Sequence, residues 1–259
     1  MPETHYYQTE AIVIKKIKLG EADRILTLYT PEHGKVEGVA KGVRRPKSKM
    51  AGHLELLTYS QIRLAHGRNL DTIVGSQTID SFMPLKNDLW LTSCGLYASE
   101  LINQFTVEHM ANQVLFHLLV ETLRRLSRAD NPELTVRYFE LHLLDLVGYR
   151  PQIQQCVSCH VDLKPVINAF CSSAGGILCP DCINKNPDSF CISVDALKVL
   201  RLFQRSEFDM VSRVKISQEL SQELKGALAS YVRYLLEREV KSAAWMDTLR
   251  EQAGPAAAI

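Results

Sequence analysis

Two short cysteine pairs, Cys156-Val-Ser-Cys159 and Cys179-Pro-Asp-Cys182, separated by nineteen residues, constrain this chain more than any other feature. A two-residue gap lets both thiolates of a pair turn toward one point, and two such pairs complete a tetrahedron around Zn²⁺. Four sulfurs at ~2.3 Å leave no coordination position for water or substrate, so the implied ion holds a shape and performs no reaction. The stretch between the pairs needs that help, because Pro165 and the Ala174-Gly175-Gly176 turn break any long element and its apolar content is thin. Metal binding, worth ~10–16 kcal/mol in small zinc modules, offsets the ordering cost of a knuckle too small to fold by burial alone. The ligands are read as Cys156, Cys159, Cys179 and Cys182. Cys171 and Cys191 stay open as substitutes, and His160 is read as a surface residue whose side chain diverges from that of Cys159.

The 259 residues suffice for two or three modest domains. Lysine and arginine number 30 against 29 acidic residues, a formal charge of +1. A globally basic nucleic-acid binder is thereby excluded, and any such role must rest on a local patch. There is no run of ~18 apolar residues, so no membrane span is expected. The start, Met1-Pro2-Glu3-Thr4-His5, carries no cationic region followed by an apolar one, so no secretion signal is expected either. Seven cysteines, an odd number placed mostly in metal-type pairs, suit a reducing cytoplasm better than a disulfide framework.

The first eighty or so residues read as β-structure. Ala11–Leu19, Arg24–Tyr29, Lys35–Val43, Leu54–Ala65 and Leu70–Ile79 are five runs rich in β-branched and aliphatic residues, separated by polar or glycine-containing connections. Five short strands permit a small closed barrel, because closure removes exposed edges. An OB-type barrel over residues 1–82 is the leading expectation, and an SH3-like barrel has the same strand count.

From Leu89 the period becomes helical. Trp90, Cys94, Tyr97, Leu101 and Phe105 share one face, and Leu115, Leu118, Leu119, Leu123 and Leu126 continue the pattern in a second helix. Asn131-Pro132-Glu133 opens a third helix with a cap, a first-turn proline and a dipole-matched acid, and Gly148 closes it. Ser193 caps a helix carrying Leu197, Leu200 and Phe203, and Leu220 to Leu235 mark a longer one. The expected architecture is α+β: the barrel, a helical domain of residues 83–150 and 190–250, the cysteine module of 151–189 inserted in it, and a flexible tail of 251–259. Arg124, Arg125 and Arg128 end the second helix. There they satisfy carbonyls and the helix dipole, or else form an anionic-partner site.

Between Lys41 and Lys49 lie five cations and no acid, namely Lys41, Arg44, Arg45, Lys47 and Lys49, with Lys35 just upstream. Two readings stand for this run, a solvated loop and a phosphate-contacting one. Basic loops beside a barrel face are how OB folds grip single strands. Tyr29 and Tyr59 are candidate stacking platforms or core residues. There is no Gly-x-x-x-x-Gly-Lys-Ser/Thr loop, Gly-x-Ser-x-Gly elbow or His-Glu-x-x-His motif, so an enzyme reading has no residues to name. His142, on an apolar helix, is read as packed and satisfied. Two rivals to nucleic-acid binding remain, a zinc-stabilised protein-interaction adaptor and a thiol-redox or metal-dependent enzyme.

The order of these pieces resembles the bacterial recombination-mediator family RecO. The resemblance is carried by Gly20-Glu21-Ala22-Asp23-Arg24-Ile25-Leu26, the Gly38 to Arg45 segment, Tyr138–Leu144 leading to Gly148-Tyr149-Arg150-Pro151, the cysteine pairs, and Tyr234–Leu236 with Lys241-Ser242. It implies an N-terminal OB domain, a helical bundle and a structural zinc knuckle. It also implies a protein without ATPase activity, working in the cytoplasm at the nucleoid in DNA damage repair. Such a protein binds single- and double-stranded DNA and anneals complementary strands. With RecR it loads RecA onto DNA coated by single-strand-binding protein, whose acidic C-terminal tail occupies a groove on the helical domain. Carried onto this sequence, the DNA contacts are Lys35, Lys41, Arg44, Arg45, Lys47 and Lys49. About six phosphate contacts on a single strand correspond to a slope of roughly −4 in log K against log salt.

Overall fold

The computed structural model describes residues 5–128, 131–184, 186 and 188–253. Five strands open the chain: β1 Tyr6–Leu19, β2 Asp23–Thr30, β3 Gly34–Ala40, β4 Tyr59–Ala65 and β5 Asp71–Asp80. They close into a barrel in the order β1-β2-β3-β5-β4, with β3 and β5 parallel and the other neighbours antiparallel. This order is that of an OB-type Greek-key barrel. Alternation accounts for its interior: Leu26 and Leu28 of β2, Val36 and Ala40 of β3, Ile62 and Leu64 of β4 and Ile73 of β5 point inward. Strand β1 begins five residues before its expected start. Leu54 lies in a short 3₁₀ turn, Gly52–Leu54, and not in β4, yet its side chain still enters the core.

Helices α1 Met83–Lys86, α2 Leu89–Phe105, α3 Gln113–Ser127 and α4 Pro132–Leu146 follow. Asp88 caps α2 by accepting from the Leu91 N–H, Asn112 caps α3 through Leu115, and Asn131 caps α4 through Leu134. Cys94, Tyr97 and Leu101 are buried as the period requires, whereas Trp90 and Phe105 at the stripe's ends are half-buried. Strands β6 Asn168–Cys171, β7 Gly176–Leu178 and β8 Phe190–Ile192 make a small sheet around the short helix α5 Pro180–Ile183. Helices α6 Val194–Arg205, α7 Phe208–Val211, α8 Gln218–Leu236 and α9 Lys241–Ala253 complete the chain. The tail from Gly254 lies outside the described residues.

Residue contacts divide the chain into two compact units. The first takes in the described residues of Met1–Ala129 with Lys241–Ile259, and α9 packs there on α2. The second takes in those of Asp130–Val240. Its α6 begins at Ser193, whose hydroxyl accepts from the Ala196 N–H at 3.1 Å and donates to Glu223 of α8 at 2.7 Å. His142 of α4 is satisfied by the Phe203 carbonyl oxygen at 3.0 Å and packs on Tyr138, with ring centroids 4.0 Å apart. No helix among the described residues is long and apolar enough to cross a membrane.

Candidate nucleic-acid interface and metal centre

The basic loop leaves β3 at Ala40 and is tied to the β1–β2 turn. The Gly42 N–H donates to Asp23 Oδ1 at 2.6 Å, the Arg44 N–H to the Ala22 carbonyl at 2.9 Å, and Arg44 Nη1 to the Gly20 carbonyl at 3.2 Å. Gly42 sits at φ +65°, a left-handed conformation that a side chain would strain. Val43, 2% exposed, plugs into the barrel core and acts as the anchor. Around it Lys41, Arg44, Arg45, Lys47 and Lys49 are all exposed. The structure thus gathers five of the six expected cations on one anchored loop.

Lys35, the sixth expected cation, stands apart from the loop. Its ammonium donates to the Asn103 and Thr106 carbonyls, at 2.8 and 2.7 Å, at the C-terminal end of α2. A cation there satisfies carbonyls that have no intrahelical partner. Burial lowers its pKa, against the opposing effects of Glu108 and Glu37. Of the two readings of Tyr29 and Tyr59, the structure selects core residues. Both rings are buried, with centroids 6.3 and 5.9 Å from that of Phe116 on α3. Burial alone pushes the Tyr29 phenol up to about 12. The outward side of the barrel at Tyr29 of β2 and Tyr59 of β4 is therefore covered by α3.

Other cations join the loop that the sequence reading did not single out. Lys18 pairs directly across from Arg24, and Arg24 from Ala40, so these two cations stand at the barrel end where the loop leaves β3. Arg24 and Lys16 share one acid, Glu55. The signal lay in Lys15-Lys16-Ile17-Lys18, which strand register alone connects to the loop. Arg124, in contrast, is engaged by Glu121 at 2.6 Å, and Arg128 is the C-cap residue of α3, as the helix-end reading expects.

The metal centre is built by backbone pairing. The segment carrying Cys156 runs beside β7: Ile177 donates to the Gln152 carbonyl and Val157 to the Ile177 carbonyl, each at 2.9 Å. A Cβ on Gly176 would meet the Gln152 oxygen at 2.2 Å, so this close approach needs glycine. Strand β7 leads directly to Cys179. Cys159 is turned inward by a tight bend in which the His160 N–H donates to the Cys156 carbonyl at 2.9 Å. Cys182 follows in the first turn of α5.

All four sulfurs lie within 4.8 Å of one another, and Cys159 Sγ stands 3.7 Å from Cys179 Sγ. Four sulfurs ~2.3 Å from one tetrahedral ion have edges of ~3.8 Å, so the group fits a zinc-sized ion. Burial raises the Cys156 thiol, but the N–H groups of Cys179, Cys159 and Ser158 outweigh it and bring it to about 6, while burial and the neighbouring sulfurs push the Cys179 thiol up. Cys171 turns to Ser173 Oγ at 3.3 Å, and Cys191 is exposed on β8; neither joins the cluster.

Two family models match the chain, one over the barrel and one over the region that holds the helices and the cysteine cluster. The model of the recombination protein O N-terminal domain matches residues 1–82, and that of the C-terminal domain matches residues 86–244. The chain belongs to the recombination protein O family. One relative, the DNA repair protein RecO of Dehalococcoides mccartyi strain CBDB1, is 44% identical over 96% of this chain and 98% of its own length. That of Roseiflexus sp. strain RS-1 is 39% identical over 95% and 86%, and that of Symbiobacterium thermophilum 33% over 94% and 98%. The family places the chain among DNA repair and recombination proteins.

Proposed function

We propose that this chain is a DNA-binding recombination mediator. It anneals complementary single strands and, with RecR, helps load RecA onto DNA coated by single-strand-binding protein. The observation that carries the reading is the anchored loop with five exposed cations in a chain of formal charge +1. Such a patch lowers the repulsion between two phosphate chains without reading base edges, so any complementary pair can zip together and no nucleotide is hydrolysed. In this reading the barrel, residues 1–82, grips DNA through Lys41, Arg44, Arg45, Lys47 and Lys49. The helical parts, 83–150 and 190–250, take the acidic tail of single-strand-binding protein. Zn²⁺ on Cys156, Cys159, Cys179 and Cys182 holds module 151–189 in shape. The protein works in the cytoplasm at the nucleoid.

The deciding experiment is annealing of two complementary oligonucleotides, with and without single-strand-binding protein and without ATP. Acceleration of the coated strands is expected. A protein that neither binds oligonucleotides in dilute buffer nor speeds their pairing would instead be a zinc-stabilised adaptor.

A further inference from the structure

The barrel's outward face carries a partly exposed aliphatic row away from Tyr29 and Tyr59. A β-bulge between Val13 and Lys15 shifts the parity of β1, and beyond it Ile17 lies opposite Ile25, which lies opposite Val39. Partners in register share a face, so these three side chains form one line across three strands. Leu19 stands two residues further along β1, on the same side. Ile17 is 45% and Leu19 40% exposed, while Ile25 and Val39 are half-buried. An antiparallel sheet with one face in water ordinarily turns polar residues outward. Here branched aliphatics take those places.

The charges around the row identify what covers it. Lys15 precedes it on β1, Lys41 follows Val39 by two residues, and the loop with its four further cations begins there. The acids on the same strands are Glu10, to which the Tyr59 hydroxyl donates, Glu37, toward which the Thr27 hydroxyl donates, and Asp23, which is occupied by the Gly42 N–H. An apolar strip with a cationic border suits a polyanion whose other face is apolar. Three strands at a spacing of ~4.8 Å make the row about 10 Å wide, room for one or two nucleobases. Aliphatic side chains support any base, because they contact its ring and not its edge.

We infer that the Ile17–Ile25–Val39 row with Leu19 is a base platform, taking the unstacked bases of a single-stranded nucleic acid while the Lys41–Lys49 loop holds its phosphates. This rests on the DNA-binding reading above. It adds that single strands are distinguished from duplex by apolar contact and not by charge.

Anisotropy titrations of the full-length protein with an oligo-dT strand, an abasic strand of equal phosphate number and a duplex test it. The wild type should bind oligo-dT more tightly than the abasic strand. Ile17→Ser with Leu19→Ser should weaken oligo-dT binding about tenfold, with the salt slope and the duplex affinity unchanged. Equal wild-type affinity for the two strands, or an unaffected double variant, would overturn the platform and leave the phosphate loop standing. The same follows if the double variant keeps oligo-dT but loses an acidic peptide, since the row is then a protein-docking face. Should the substitutions disturb the barrel, the comparison of the two strands on the wild type decides alone. A wild type that binds no strand in dilute buffer would overturn the DNA-binding reading itself.

Discussion

Glu55 holds two cations at the mouth of the barrel, accepting from Lys16 Nζ and from Arg24 Nη1. Burial raises its carboxyl, but the two cations outweigh that and hold it below the usual carboxylate range. A folded value below the unfolded one means that the unfolded chain binds the proton more readily. The stabilisation is therefore present above the unfolded value of about 4.3 and lost as pH falls through the lower folded value. The side chain is 42% exposed, so solvent screening keeps the contribution under about 1 kcal/mol. Urea titration of Glu55→Gln should show a loss of that size at neutral pH, which shrinks as pH falls through the lowered folded value. A deeper pair joins Arg137 and Glu140 of α4 at 2.9 Å, their side chains 6% and 0% exposed. Glu140→Ala should cost about 3–5 kcal/mol in the same assay, because it strands a buried guanidinium. Replacing both partners, Arg137→Met with Glu140→Leu, should recover most of the loss. Hydrophobic spacing marked this helix but gave no sign that two charges lie inside it.

The basic loop and the cysteine knuckle are short elements held by different means. Val43 and the backbone N–H groups of Gly42 and Arg44 fix the loop, so its cations, with the one Arg44 side-chain bond to Gly20, can be removed without unseating it. With Lys35 engaged at α2, about five phosphate contacts remain, a slope of roughly −3.5 on a single strand. Changing Arg44, Arg45 and Lys47 together to alanine should flatten it to about −1.5 with the circular dichroism spectrum unchanged. An unaltered slope would place the binding surface elsewhere. The knuckle has little apolar content and leans on its four sulfurs. Metal analysis should find one zinc per chain, and a thiol reagent should react with the exposed Cys191 at once but with the four cluster cysteines only after a chelator is added.

At the scale of the whole molecule, the last helix packs on α2 and is capped by a carboxylate of that helix. Glu100 of α2 accepts from the N–H groups of Lys241 and Ser242 at 3.1 and 2.8 Å, and from the Ser242 hydroxyl, so it caps α9 across more than a hundred residues of chain. A carboxylate at a helix N-terminus contributes about 1 kcal/mol. Glu100→Ala should speed limited proteolysis within α9 while leaving oligonucleotide affinity as it was. The cysteine cluster belongs to the second unit and the barrel to the first. Chelation should therefore lower the melting of the second unit and spare the phosphate grip of the first.

Strand runs, turn residues, helix caps and cysteine spacing are local, and each could be read residue by residue: five strands, Asn131 and Ser193 as caps, four sulfurs around one point. What contacts each buried face is not local. Periodicity says that Tyr29 and Tyr59 have a buried side, but only packing supplies Phe116 to cover them and two carbonyls to hold Lys35. Nor does it say that α2 and α3 share a unit with the barrel. A bulge adds one residue and exchanges inside for outside along the rest of a strand. Whether Ile17 or Lys16 faces water was thus decided by the barrel's closure, since register depends on partners far along the chain.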